Sequence, residues 1–478
     1  MADKDGTQFI FQSVLYKAVR LTENVELKDA VAEFNIFEDL NKPYLTGSIL
    51  IGDDTGLMDD VKIKGDETIT LVIAKNPKLA DAEPYFRLDF KVVSIMRQEK
   101  TADRAEVISM NLISVHAYNN NVLKISKSYT GKLEEISKSI LRNFLDVESA
   151  SNFTLPDGRE LVTVDNSGSE QEPIKLLVPY LSPLETVEWL TERATDRWGT
   201  PFFIWASIWG QNMSETTTLR LGNFMTMVNE GIDGVKDDPI EDNFIYSQVQ
   251  TNVKAPEGYR GAKRIIKNIK FANIENTLKM IREGAVGSTI SNLDTYTSQD
   301  MTKHYSIKQF LTTLNGGDEF SSTGRILGTV YDQQDQLTIG DETRYTAEWS
   351  ARQRNTVTSY GTYGTVNSIH DAIDASSLLN KVRPLAIRSM LQRNKLEIET
   401  DGIGILEDKL SVGDIIKVRF VTEDTASKTL TGSNEERSGF YLIQNCRHIF
   451  SRERHNAILM ICKVAQTNIV NDSSVENN

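Results

Sequence analysis

Thr46 to Leu71 reads TGSILIGDDTGLMDDVKIKGDETITL, and Leu396 to Phe420 reads LEIETDGIGILEDKLSVGDIIKVRF. Each stretch holds two alternating strands hinged on acidic and glycine turns, and a period of two marks half-buried β-structure. A shift of 348 places Asp53 on Asp401, Gly56 on Gly404, Asp60 on Asp408, Gly65 on Gly413 and Asp66 on Asp414. All ten are read as turn positions that hold the repeats, because Asp bonds to nearby backbone and Gly accepts positive φ. Outward from the first copy, FRLDFKVVSIMRQ and AEVISMNLISV make a hairpin across EKTADR; outward from the second, FYLIQNCRHIF and NAILMICKV do the same. Here a shift of 350 sets Phe90 on Phe440, Arg97 on Arg447, Arg104 on Arg454, Ile108 on Ile458 and Met110 on Met460. Two blocks that agree in order predict an internal duplication.

Between the copies the pattern changes. GKLEEISKSILRNFL has the apolar spacing of a helix, at Leu133, Ile136, Ile140, Leu141 and Phe144. A second helix is predicted from Pro183 to about Arg197, with Ser182 as N-cap, Pro183 at the first helical position and Glu185 completing a capping box. Gly199 and Pro201 end it and launch an aromatic strand, Phe202 to Trp209, with a further strand at Leu219. Trp198, Trp205 and Trp209 are read as core behind a helix rather than as a sugar-stacking platform. From Asp242 to Arg383 a strand in NFIYSQVQTNVK and a helix in IENTLKMIREGA precede a mixed stretch, where His304 sits in a polar helix candidate. TRYTAEWSARQRNTVTSYGTYGTVNS is either an irregular partner-facing segment or loops and edge strands.

The expected fold is mainly β with α+β insertions and a duplicated antiparallel β domain. Its units are residues 1–118, an all-β first domain; 119–240, an α/β domain; 241–383, a mixed insertion; 384–466, the second β domain; and 467–478, a polar tail expected to be disordered.

Apolar content of 39% and charged content of 25% suit a globular protein, and no apolar run is long enough to span a bilayer. The N-terminus shows no secretory signal, so assembly in a cytoplasm is expected. Cys446 and Cys462 lie on neighbouring strand candidates and are read as buried free thiols. Lys and Arg number 53 against 67 Asp and Glu, a net charge of −14 with no basic block to grip phosphates, so specific DNA binding is not expected. No catalytic, cofactor or metal residues are expected. The five histidines lack zinc-ligand spacing, Ser368, His370 and Asp371 are adjacent instead of assembled from distant segments, and DGIGIL lacks the third glycine of a dinucleotide loop.

TGSILIGDDTGLMDDVKIKGDETITL with its hairpin, LSPLETVEWLTERA leading to PFFIW, LSVGDIIKV and GFYLIQNCRHIF together resemble the baseplate hub proteins of contractile-tailed bacteriophages. The same domain opens the valine-glycine-repeat spike proteins of type VI secretion. The resemblance spans residues 7 to 466, most clearly outside 240 to 380. It implies a homotrimer in which two tail-tube-like domains per chain make a pseudo-hexameric ring, matching a threefold spike to a sixfold tube. It further implies a virion protein, not an enzyme, whose partners are a separate central spike protein, tail tube or adaptor proteins and baseplate wedge proteins. DNA would pass without specific binding, and no membrane is involved. The sequence stops soon after the second unit, from which a separate spike polypeptide is expected. The alternatives are a hub of a non-phage contractile injection system, a cell-wall hydrolase, or a sugar-binding module using Trp205 and Trp209.

Overall fold

Alternation in the sequence becomes alternation in burial. In the computed structural model Thr46–Asp53 is a strand in which every second side chain is buried, as pleating requires. The structure describes residues 9–19, 21–53, 67–75, 84–100, 106–131, 133–145, 174–193, 195, 199–209, 218–235, 243–247, 264–272, 282, 284, 287–294, 299–306, 310, 352–358, 383–392, 395–422, 432–433, 437–451 and 454–465.

The first unit comprises β1 (Phe9–Lys17), β2 (Val25–Glu26), β3 (Val31–Asp39), β4 (Thr46–Asp53), β5 (Thr68–Lys75), β6 (Pro84–Lys100) and β7 (Glu106–Ser114). The middle carries β8 (Ser128–Gly131), β9 (Ile174–Leu177), β10 (Phe202–Ser207), β11 (Thr218–Asn223), β12 (Phe244–Ser247), β13 (Ile266–Phe271), β14 (Gly287–Asp294), β15 (Gln299–Ser306) and β16 (Arg352–Thr358). The last unit holds β17 (Lys395–Asp401), β18 (Ile415–Thr422), β19 (Gly432–Ser433), β20 (Gly439–Ser451) and β21 (His455–Ala465). The fold is mainly β, as the patterning predicts.

One sheet runs through both units in the order β13-β17-β21-β20-β3-β4-β7-β6-β5-β1-β2, with β18 beside β20. The duplication is plain in it. β13-β17-β21-β20 repeats β3-β4-β7-β6, and β18 joins the start of β20 as β5 joins the start of β6. The residue correspondence differs from the sequence alignment by one, however. Ile49 faces Met110 across one ladder and Ile398 faces Leu459 across the other, all fully buried, so both pairs superpose at a shift of 349. At 350, buried Met110 would fall on half-buried Met460, on the opposite face; a one-residue slip flips every side chain. The matches of Ile108 with Ile458 and Met110 with Met460 are therefore fortuitous. Arg97 and Arg447 do correspond, facing Ser109 and Ile458 in equivalent ladder positions.

Helix Pro183–Arg193 starts as predicted. The Ser182 amide donates to Glu185 Oε2 at 2.8 Å, the Thr186 amide reaches the Ser182 carbonyl, and Asn120 Oδ1 accepts from the Leu184 amide. Helix Leu133–Leu145 also matches its spacing. Trp205 and Trp209 are buried, the latter donating from Nε1 to the Leu410 carbonyl at 3.0 Å, so the exposed sugar platform is ruled out for this pair; Trp198 lies outside the described residues. Two local expectations change: the first unit ends in a helical turn, Val115–Asn120, and His304 lies on strand β15 and not in a helix. Of the two readings of the aromatic segment, its Arg352–Thr358 part follows the second, being an edge strand beside β14 among the described residues. The helix expected in IENTLKMIREGA lies almost wholly outside the described residues.

His116 closes the first unit, its Nε2 donating to the Pro43 carbonyl at 2.9 Å. Burial lowers its pKa from 6.5 to about 4. The unfolded chain therefore binds a proton that the folded chain refuses between these values, and stability falls as pH drops through that window. The loss should reach about 3 kcal/mol by pH ~4. Urea unfolding of the parent and His116→Gln from pH 7 to 4 checks this: the variant should lose that part of the pH slope, and parallel slopes would refute the assignment.

Candidate functional site: the seam between the repeats

The two units meet where β20 of the second pairs antiparallel with β3 of the first, from Asn445 opposite Asp39 to Ser451 opposite Glu33. In β3 the sequence EFNIFED sends Phe34, Ile36 and Glu38 to the covered face, so a carboxylate enters an apolar layer. What it meets there comes from the second unit. Its Oε2 accepts hydrogen bonds from the Ser411 hydroxyl and, at 3.4 Å, from the Val412 amide, while Oε1 lies 3.2 Å from His448 Nε2. His448 Nδ1 stands 3.2 Å from His455 Nε2, and the His455 ring stacks on Phe450 at 4.2 Å. Cys446 Sγ is 3.1 Å from His448 Nε2, and Ser207 on β10 bonds Ser411 at 2.8 Å. Glu38 is 1% exposed and both histidines are wholly buried.

Thiol, imidazole and carboxylate in series resemble a nucleophile relay, but the chemistry does not follow. Burial, reinforced by Glu38, drives the Cys446 thiol well above its usual pKa, so the thiolate that a nucleophile requires is suppressed. His455 is held well below the usual histidine value by burial first and by His448 second. With no solvent access, the cluster is a hydrogen-bonded lock between the units. Among the described residues, no group of three or more His, Cys, Asp or Glu has the geometry to hold a metal, and no helix is long and apolar enough to cross a membrane.

The open face of the seam is built differently. Arg447 donates from Nε and Nη2 to Asn35 Oδ1 at 3.1 and 3.0 Å, and its guanidinium lies over the Phe37 ring at 5.5 Å. Beside it a groove of about 320 Å³ is lined by Lys42, Tyr44, Glu397, Arg447, Ile458 and Met460.

The predicted turn residues are distributed unevenly. Gly56, Asp60, Gly65 and Asp66 lie outside the described residues. Asp53 ends β4, buried opposite Glu106, and the ladder sets it level with Gly402 rather than Asp401. Asp401 ends β17, Gly404 lies within the short helix Gly402–Glu407, and Asp408 closes that helix and pairs with Arg264 at 2.7 Å. Gly413 has φ +92 beneath Trp205, and Asp414 accepts from the Ser411 amide at 2.8 Å. That last bond ties the second turn directly to the seam. Both cysteines are free and buried. In the sequence His448 and His455 merely flank one hairpin turn and show no ligand spacing, and the one signal for Glu38 is an acidic residue in phase with Phe34 and Ile36.

No protein-family model matches the chain, and no curated protein sequence does. Solved structures do resemble it. They include the tail protein from Neisseria meningitidis MC58 (TM-score 0.48, 11% identity, covering 95% of this chain and 97% of that one) and the 43 kDa tail protein of prophage MuSo2 from Shewanella oneidensis (0.46, 10%, 94% and 98%). A third is the E. coli c3393 protein, described as a component of the type VI secretion system with structural similarity to T4 bacteriophage tail proteins (0.41, 9%, 94% and 76%). Over nearly its whole length the chain is thus similar to solved tail proteins, at low sequence identity.

Proposed function

We propose that this chain is a structural hub subunit of a contractile phage tail. Three copies form a ring of six similar units that joins the tail tube to a separate central spike, contacts the baseplate wedges and lets DNA pass once the spike leaves. The observation that carries this reading is the repeated four-strand unit, β13-β17-β21-β20 and β3-β4-β7-β6, joined edge to edge within one chain. A chain holding two quasi-equivalent units converts a threefold arrangement of chains into a sixfold arrangement of units, which is what a junction between spike and tube requires. The buried lock at Glu38 fixes the angle between the units, so each chain adds a set arc to the ring. A net charge of −14 supports a passage that repels nucleic acid instead of holding it. The role needs no chemistry, only large interfaces, which in obligate assemblies exceed about 2,000 Å².

Light scattering on a sizing column tests the stoichiometry. The expected mass is three times that of the 53.8 kDa chain. A monomer that persists at high micromolar concentration would overturn the reading.

A further inference from the structure

Among the described residues, two strand edges at opposite ends of the four-strand repeats are open over part of their length. Strand β5 covers β6 only as far as Lys91, and the Val92 amide bonds the Glu67 carbonyl; beyond that, among the described residues, β6 pairs only with β7. From Val93 to Glu99 it is exposed on both faces, with Val93 57%, Ile95 41% and Met96 64% exposed. At the far end, among the described residues, β13 pairs as a strand with β17 alone, the Ile245–Ile265 bridge lying just before it, and Phe271 is 52% exposed, one face of its ring covered by the Arg437 guanidinium at 4.8 Å. Open edges with bare apolar side chains invite another strand.

The chain itself shows which strand fits. In the second unit, the half of β20 equivalent to this open stretch is covered by β3, and the second-unit equivalent of β3 is β13. The internal seam is therefore a template, with a register that can be carried over through the ladders. Ile449 faces Asn456 as Glu99 faces Val107, and His448 faces Ala457 as Gln98 faces Ile108. On the other side Asn35 faces Ser48 as Lys270 faces Glu397, and Ile36 faces Gly47 as Phe271 faces Leu396. The seam pairs Ile449 with Asn35 and His448 with Ile36.

We propose that the open edge of β6 receives strand β13 of a second copy of this chain, antiparallel, with Glu99 opposite Lys270 and Gln98 opposite Phe271. This deepens the ring reading and rests on it. The register places opposite charges face to face, and it brings Phe271 to the side of the sheet where Ile95 stands uncovered. Glu99 and Lys270 now hold only exposed pairs, with Arg97 and Glu397 respectively, so neither is committed to a buried contact. Donor and acceptor edges differ, so the contact is head-to-tail and closes into a ring without consuming a symmetric face.

Cysteine pairing tests it on the full chain under mild oxidation, read on non-reducing gels beside light scattering. Glu99→Cys with Lys270→Cys should give about tenfold more linked oligomer, ending at trimer, than Glu99→Cys with Asn268→Cys, because opposed Cβ atoms lie about 4.5–5.5 Å apart and diagonal ones about 7–8 Å. Both sites are exposed, so folding is not at issue, and the parent with its two buried thiols gives the background. A particle of trimer mass whose cysteines link no better than the control would overturn the pairing and leave the ring reading standing. Linking by Glu99→Cys alone would overturn it too, by making the contact symmetric. A chain that neither links nor exceeds monomer mass would sink both.

Discussion

Replacing Glu38 with alanine is expected to cost the fold about 2–4 kcal/mol, because several buried polar groups lose a hydrogen bond together and each such loss costs about 1–3 kcal/mol. The change takes one hydrogen-bond partner at once from the Ser411 hydroxyl, the Val412 amide and His448 Nε2, leaving Ser411 to Ser207 and His448 Nε2 to Cys446, in a region with no water access. The three that lose a partner belong to the second unit while Glu38 belongs to the first, so the loss loosens the seam as well as lowering stability. Urea unfolding should show the shift, and a double-mutant cycle with His448→Leu should show strong coupling, the pair of changes costing less than their sum. A loss below about 1 kcal/mol would place the seam's strength elsewhere, in the apolar ladder alone.

Gly413→Ala should be nearly as damaging, for a steric reason. Its φ of +92 is strained for any residue with a Cβ, and that Cβ would sit 2.7 Å from Trp205 Cζ2. Trp205 is 1% exposed, with no room to yield. Backbone strain and overpacking together should cost about 2–5 kcal/mol. Gly52→Ala is the control, since an added Cβ there meets nothing within 4 Å. Its stability should change by less than about 1 kcal/mol. Equal effects at the two positions would refute the clash.

Particular residues show how far the sequence carries. The strands and helix starts were legible because pleating and capping write directly into residue order: TGSILIGD alternates, and Ser182 with Glu185 announces a helix. The duplication was legible too, yet its register was not. Identities such as Met110 with Met460 reward chemical likeness, whereas the ladder responds to which face is buried, and the two differ by one residue. His304 was misread because polar DMTKHYS has no apolar period to decide between helix and strand; its strand is set by pairing with β14. The role of Glu38, beyond its being in phase with Phe34 and Ile36, was hidden for a different reason. Its partners lie some four hundred positions away, and only tertiary pairing of β3 with β20 brings them together.

The ring of six units from three chains is tested most directly by class averages of negatively stained end views of the purified chain. Two quasi-equivalent units per chain predict a particle with threefold symmetry that presents six similar lobes around a central channel. Three lobes, or compact particles without a channel, would contradict it, and the repeat would then serve the chain's own sheet and nothing beyond it.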